Sequence, residues 1–232
     1  MANFLLIHGT WHGAWCWERL LPYLTEDGHK VQTPTLIGLA DRAHEATPRT
    51  GLGTHVNQIV EFIKNNDLKD LILVGHSYGG LVMVGTAELV PNRIQHLVYL
   101  DALIPDDGQS AFDLMPGVEE GFVEAMHGIG SNFLVPPMSP QDLGVTKPED
   151  IEWMNKHLTP MPILTHREKV VAPQRKAAQI PSTYIRCLRF GLGASFANLA
   201  RRAGWQVLEI DAGHDVMVIN PKELAKLLER SY

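Results

Sequence analysis

The chain has 232 residues and a mass of 25.8 kDa, which suits one domain with a sizeable core and leaves too little for two. Hydrophobic residues make up 45% and charged residues 20%, an ordinary globular composition that excludes disorder, a fibre or a disulfide-stapled mini-protein. A formal net charge of −6 argues against a binder of nucleic-acid phosphates. Cys16 and Cys187 lie far apart and fit no metal-ligand spacing; they read as reduced thiols, which with the absence of a signal segment makes the cytoplasm the expected compartment. No apolar run approaches the ~18 residues that span a bilayer.

In chain order, Phe4 to Ile7 is a short buried strand and Trp15 to Leu24 reads as a helix. Lys30 to Leu36 is a second strand, with Val31 and Thr33 favouring extension. Val56, Ile59, Val60 and Ile63 fall on one helix face. Leu71 to Val74 is a continuous apolar run, as in a strand covered on both faces. Leu81 to Val90 is helical and stops before Pro91, and Ile94 to Leu100 is a strand. After a long interval come a strand at Thr183–Leu188, a helix at Phe196–Ala203, a strand at Val207–Ile210 and a closing helix at Leu224–Leu228. This alternation predicts an α/β fold with a parallel sheet and helices on both faces. The interval 105–181 carries most of the prolines, many Met and Phe residues and no clear strand. It is expected to be an inserted cap of short helices and loops, with residues 1–104 and 182–232 forming the core.

Gly75-His76-Ser77-Tyr78-Gly79 is a G-x-S-x-G motif between the Leu71–Val74 strand and the Leu81–Val90 helix. That context makes Ser77 a nucleophile on a strained turn, exposed at the C-terminal end of the sheet. A serine hydroxyl needs a base. Among the 11 histidines, His214 follows the last strand, on the sheet edge where Ser77 opens. His8 and His12 read as braces of the loop after the first strand.

The segments His8-Gly9-Thr10-Trp11-His12-Gly13-Ala14-Trp15, Gly75 to Gly80 and Gly213-His214 resemble the α/β-hydrolases. The likeness is greatest to the branch of small esterases, plant methyl-ester esterases and hydroxynitrile lyases. The resemblance implies a mostly parallel sheet of about six strands, beginning at the family's third. It also places oxyanion donors at the backbone N–H groups of Thr10 and Tyr78. The acid of such a triad usually follows the second-to-last strand, yet no Asp or Glu occurs between Lys169 and Leu208. The family's other solution puts an acid after the strand that follows the nucleophile helix, where Asp101 stands; Asp211 is its rival. Trp11, Phe133 and Trp153 are expected to line the substrate pocket.

Hydroxynitrile lyases of this branch carry threonine where this chain has Gly9 and lysine where it has Asp215. Both departures favour ester hydrolysis through an acyl-enzyme, on small to medium esters with an apolar or aromatic part. The alternatives are cyanohydrin cleavage and a ligand receptor on a hydrolase scaffold. No cofactor or metal is implied. The expected partner is a small-molecule ester, with no nucleic acid and no membrane; a homodimer is left open.

Overall fold

The computed structural model describes residues 1–232. In chain order the elements are β1 (Asn3–Ile7), α1 (Leu21–Glu26), β2 (Lys30–Gln32), α2 (Leu52–Asn65), β3 (Leu71–His76), α3 (Gly79–Leu89) and β4 (Ile94–Leu100). Then follow α4 (Ala111–Leu114), α5 (Val118–Gly128), β5 (Leu134–Val135), α6 (Pro148–Asn155), β6 (Met161–Pro162) and α7 (Leu164–Arg167). The chain closes with β7 (Ser182–Cys187), α8 (Gly193–Arg202), β8 (Gln206–Ile210), α9 (Val216–Ile219) and α10 (Pro221–Glu229).

Six strands form one sheet in the order β2-β1-β3-β4-β7-β8, and every pair is parallel. Alternate side chains of each strand enter opposite cores. Leu5, Ile7, Leu71, Leu73, Leu97 and Tyr99 pack with residues of α2, α3 and α8 on one face. Phe4, Leu6, Ile72, Val74, Val98 and Leu100 pack with Trp17, Leu24 and the apolar side of α9 and α10 on the other. This double covering is why the strands lack a polar alternation. The strand order reverses at β1 and β3, because the chain runs from β1 outward to β2 and returns on the far side of β1. A crevice opens at such a reversal, at the C-terminal ends of the strands. His8 to Thr10 and Ser77 emerge there.

Three local readings differ from the expectation. Trp15–Leu24 is a 3-10 turn at Ala14–Trp17 followed by α1; Pro22 has no N–H and cannot continue a helix begun seven residues earlier. β2 ends at Gln32, since Pro34 cannot donate to a ladder. Residues 105–181 do contain strands, the two-residue antiparallel pair β5 and β6, too short to leave a periodic signal. No helix is long and apolar enough to cross a membrane.

The turn between β3 and α3 is packed against the backbone of its neighbours. A Cβ on Gly79 would stand 2.7 Å from the Ile7 carbonyl oxygen, and one on Gly80 would stand 2.2 Å from that of Leu103. Gly80→Ala is therefore expected to destabilise the protein by about 1–3 kcal/mol, seen as a lower urea midpoint at unchanged slope.

Candidate active site

Ser77 sits immediately after β3 with φ +54°, the left-handed region that a serine occupies only under constraint. The constraint is hydrogen bonding on both sides. The Ser77 N–H donates to the Leu100 carbonyl at 3.2 Å, and its carbonyl accepts from Gly80 at 3.1 Å and Leu103 at 3.2 Å. The turn thus lifts the Ser77 side chain into a cavity at the strand ends, lined also by His214. The hydroxyl makes no hydrogen bond to the protein in this resting geometry; such contacts commonly tighten only with substrate bound.

The His214 Nδ1–H donates to Asp101 Oδ2 at 2.7 Å. An ionised carboxylate only accepts, so Nδ1 holds a proton, and in the neutral ring the Nε2 lone pair is left free. Asp101 is fully buried, has φ +44°, donates its N–H to Ile185 at 2.7 Å and accepts from the Cys187 N–H at 3.2 Å. A Cβ on Gly193 would lie 2.0 Å from Asp101 Oδ1. The loop after β7 supplies no acid, and Gly193, the first residue of α8, makes room for the carboxylate arriving from β4. The rival, Asp211, is exposed and holds Arg189 through two contacts of 2.6 and 2.7 Å. The imidazole of His214 lies between Phe190 at 4.3 Å and His76 at 4.4 Å, ring centre to ring centre.

The N–H groups of Thr10 and Tyr78 donate to no protein acceptor. Gly9 lets this strap approach the elbow: a Cβ there would meet Ser77 Cβ at 2.9 Å. Trp11 carries φ +65° and is held by its indole N–H on Val135 at 3.2 Å. His8 braces the strap, donating to the Gly9 carbonyl at 2.9 Å and accepting from the Leu36 N–H at 3.0 Å. Burial lowers its pKa to about 3, so it works as a neutral spacer.

His12 behaves differently. Its Nδ1–H donates to the Thr10 carbonyl at 2.6 Å, and its Nε2 faces Asp215 Oδ1 at 3.1 Å, at ion-pair distance without the alignment of a hydrogen bond. Both residues are buried. Burial disfavours the charge on each, but their mutual attraction outweighs it, raising the pKa of His12 and holding that of Asp215 down at about 2. This pair joins the loop that carries Thr10 to the loop that carries His214. Asp215 therefore points away from the cleft, into the protein. His76 donates from Nε2 to the His214 carbonyl at 3.1 Å, and burial beside His214 keeps it neutral.

The cavity has a volume of about 530 Å³. Its walls are mostly apolar and include Trp11, Leu114, Met115, Phe122, Phe190 and Phe196, with no Asp, Glu, Lys or Arg. Two expected pocket residues do not line it. Trp153 turns its ring onto Trp15 at 5.1 Å and under the Arg19 guanidinium at 4.5 Å, half-buried against the core on the other side of the sheet. Phe133 precedes β5, and its carbonyl is taken by the Ile163 N–H at 2.8 Å. Leu114, Met115 and Phe122 stand in their place; nothing in their spacing distinguished them from the other apolar residues of the inserted segment. His166 also lines the cavity. One more histidine in a proline-rich stretch gave the sequence reading no signal.

The sign of the His12–Asp215 coupling gives a pH test. The raised pKa of His12 adds stability below about 6.5, lost as pH climbs through its folded value. The lowered pKa of Asp215 adds stability above about 3.8, lost as pH falls through about 2. The stability difference between wild type and Asp215→Asn should thus be greatest between those limits and shrink above about pH 6.5. Denaturant titrations at several pH values measure it.

Residues 4–227 match the model of the alpha/beta hydrolase family. The chain is 36% identical to the carbendazim hydrolyzing esterase of Nocardioides sp., across 98% of both chains. It is 34% identical to methylesterase 1 of Arabidopsis thaliana, over 47% of this chain and 42% of that protein. An extracellular alpha/beta-hydrolase from a Paenibacillus species superposes with a TM-score of 0.88 at 28% identity, covering 100% of this chain and 99% of that one. Its description gives it structural and functional homology to tobacco salicylic acid binding protein 2. With the six-stranded parallel sheet and the elbow described above, these likenesses show that the chain belongs to the alpha/beta hydrolase family.

Proposed function

We propose that the protein is a serine carboxylesterase whose nucleophile, base and acid are Ser77, His214 and Asp101. The observation that carries this reading is the buried 2.7 Å contact from His214 Nδ1 to Asp101, which leaves Nε2 unprotonated on the cavity that Ser77 shares. The relatives named esterase and methylesterase support ester hydrolysis over other acyl transfers.

In the mechanism, His214 Nε2 takes the Ser77 proton as Oγ attacks the ester carbonyl. Asp101 holds the imidazole in the required tautomer and stabilises the imidazolium that forms. The developing oxyanion accepts from the Thr10 and Tyr78 amides, each worth about 2.7–4 kcal/mol of barrier. The imidazolium protonates the departing alkoxide and leaves the acyl group on Ser77. Water, deprotonated by the same nitrogen, then releases the acid and restores the hydroxyl.

The apolar walls, free of Asp, Glu, Lys and Arg, suit an uncharged ester with an apolar or aromatic part. Residues 105–181 act as the cap, supplying Leu114, Met115, Phe122 and His166 to the cavity. Asp215 is committed to His12 and puts negative charge beside His214, the wrong sign to assist a departing cyanide; this favours hydrolysis over cyanohydrin cleavage. Two buried unpaired thiols, Cys16 and Cys187, fit a reducing compartment, and we place the protein in the cytoplasm.

Ser77→Ala should abolish turnover of a nitrophenyl ester, with retained turnover removing the scheme. Asp101→Asn should lower kcat by about 10⁴ with KM little changed, because the amide disfavours the needed tautomer; stopped assays at saturating substrate measure it.

A further inference from the structure

Apart from the proposed catalytic groups, the cavity wall holds a polar relay through Thr10, His166 and Thr165, and its direction follows from the atoms. The Thr165 hydroxyl donates to the Pro162 carbonyl at 2.7 Å. It has one proton, so its 2.9 Å contact with His166 Nδ1 must be donated by the imidazole. His166 is buried, and burial, with His55 adding to it, lowers its pKa to about 3. The ring is therefore neutral and Nε2 bears a lone pair. Nε2 lies 3.3 Å from Thr10 Oγ1, so the Thr10 hydroxyl donates to it. Every proton in the relay is thus directed away from the cleft. Thr10 Oγ1 has no other protein partner, and Thr10 is one of the residues lining the cavity.

The ring cannot readily turn to reverse the order. It stacks on Tyr78 at 5.0 Å and 13°, with Phe112 and Phe122 each at 5.6 Å. The Tyr78 hydroxyl is itself tied to His55 Nδ1 at 2.9 Å. A chain of aligned hydrogen bonds polarises its terminal oxygen, and an acceptor in an apolar wall favours a ligand that brings a donor.

We propose that Thr10 Oγ1, backed by His166, is an acceptor site for an O–H or N–H borne by the substrate beside its ester carbonyl, so that the preferred substrates are uncharged esters carrying a donor on the α-position. The position follows because Thr10 would offer its amide to the carbonyl oxygen and its hydroxyl oxygen to the neighbouring substituent. His166 is a positioning residue in this scheme. The proposal rests on the esterase reading above.

The test compares methyl mandelate, methyl α-methoxyphenylacetate and methyl phenylacetate, with each kcat/KM divided by that ester's rate with hydroxide. The wild type should favour the hydroxy ester over both others by about 10–100-fold, the range expected when one hydrogen bond in an apolar site is lost. In His166→Phe, which removes the relay's acceptor, the preference should fall below about threefold, within the spread of a packing change. No preference in the wild type would overturn the proposal without any variant having to fold. A uniform fall on all three esters in His166→Phe, with the preference kept, would overturn it as well. Hydrolysis of none of the three, nor of nitrophenyl acetate, would instead overturn the esterase reading and this inference with it.

Discussion

The site depends on one buried contact between residues 113 positions apart, the 2.7 Å hydrogen bond from His214 to Asp101. Asp101 follows β4 and His214 follows β8, with β7 lying between those strands in the sheet. A carboxylate with no exposure is costly to bury unless its lone pairs are used. The imidazole N–H and the Cys187 amide use them. The same contacts fix which ring nitrogen faces the carboxylate, so the requirement that a buried charge be satisfied also orients the imidazole. Gly193 permits this by presenting no side chain where Oδ1 must sit.

Strain gathers at the same place. Ser77, Asp101 and Trp11 are three of the seven non-glycine residues with positive φ, a state that costs of order 1–3 kcal/mol each. All three follow the C-terminal ends of strands β1, β3 and β4, the first two of which flank the reversal of strand order. The parallel sheet, covered on both faces, supplies the rigidity that holds them. Two buried groups hold the strap and the histidine loop in register with the elbow: the His12–Asp215 pair and the His76 hydrogen bond to the His214 carbonyl.

Much of this was legible from residues alone because it follows short-range rules. Continuous apolar runs marked the strands, and the glycines around Ser77 marked the elbow; the structure shows those glycines to be required by close backbone approach. The empty acid position between Lys169 and Leu208 directed attention to Asp101, which lies against His214 while Asp211 does not. What was not legible depends on tertiary packing. Trp153 and Phe133 had the composition of pocket residues, yet α6 turns Trp153 toward Trp15 and Arg19. The Thr10–His166–Thr165 relay joins residues some 156 positions apart, and no periodicity encodes it. The 3-10 turn at Ala14–Trp17 and the two-residue strands β5 and β6 are too short to carry a period.

Nuclear magnetic resonance of the histidine-labelled protein tests the central contact most directly. The account predicts a His214 Nδ1-bound proton far downfield, lost when Asp101 is replaced by Ala and kept when Asp211 is. A resonance that survives without Asp101, or an imidazole protonated on Nε2 in the resting protein, would contradict it.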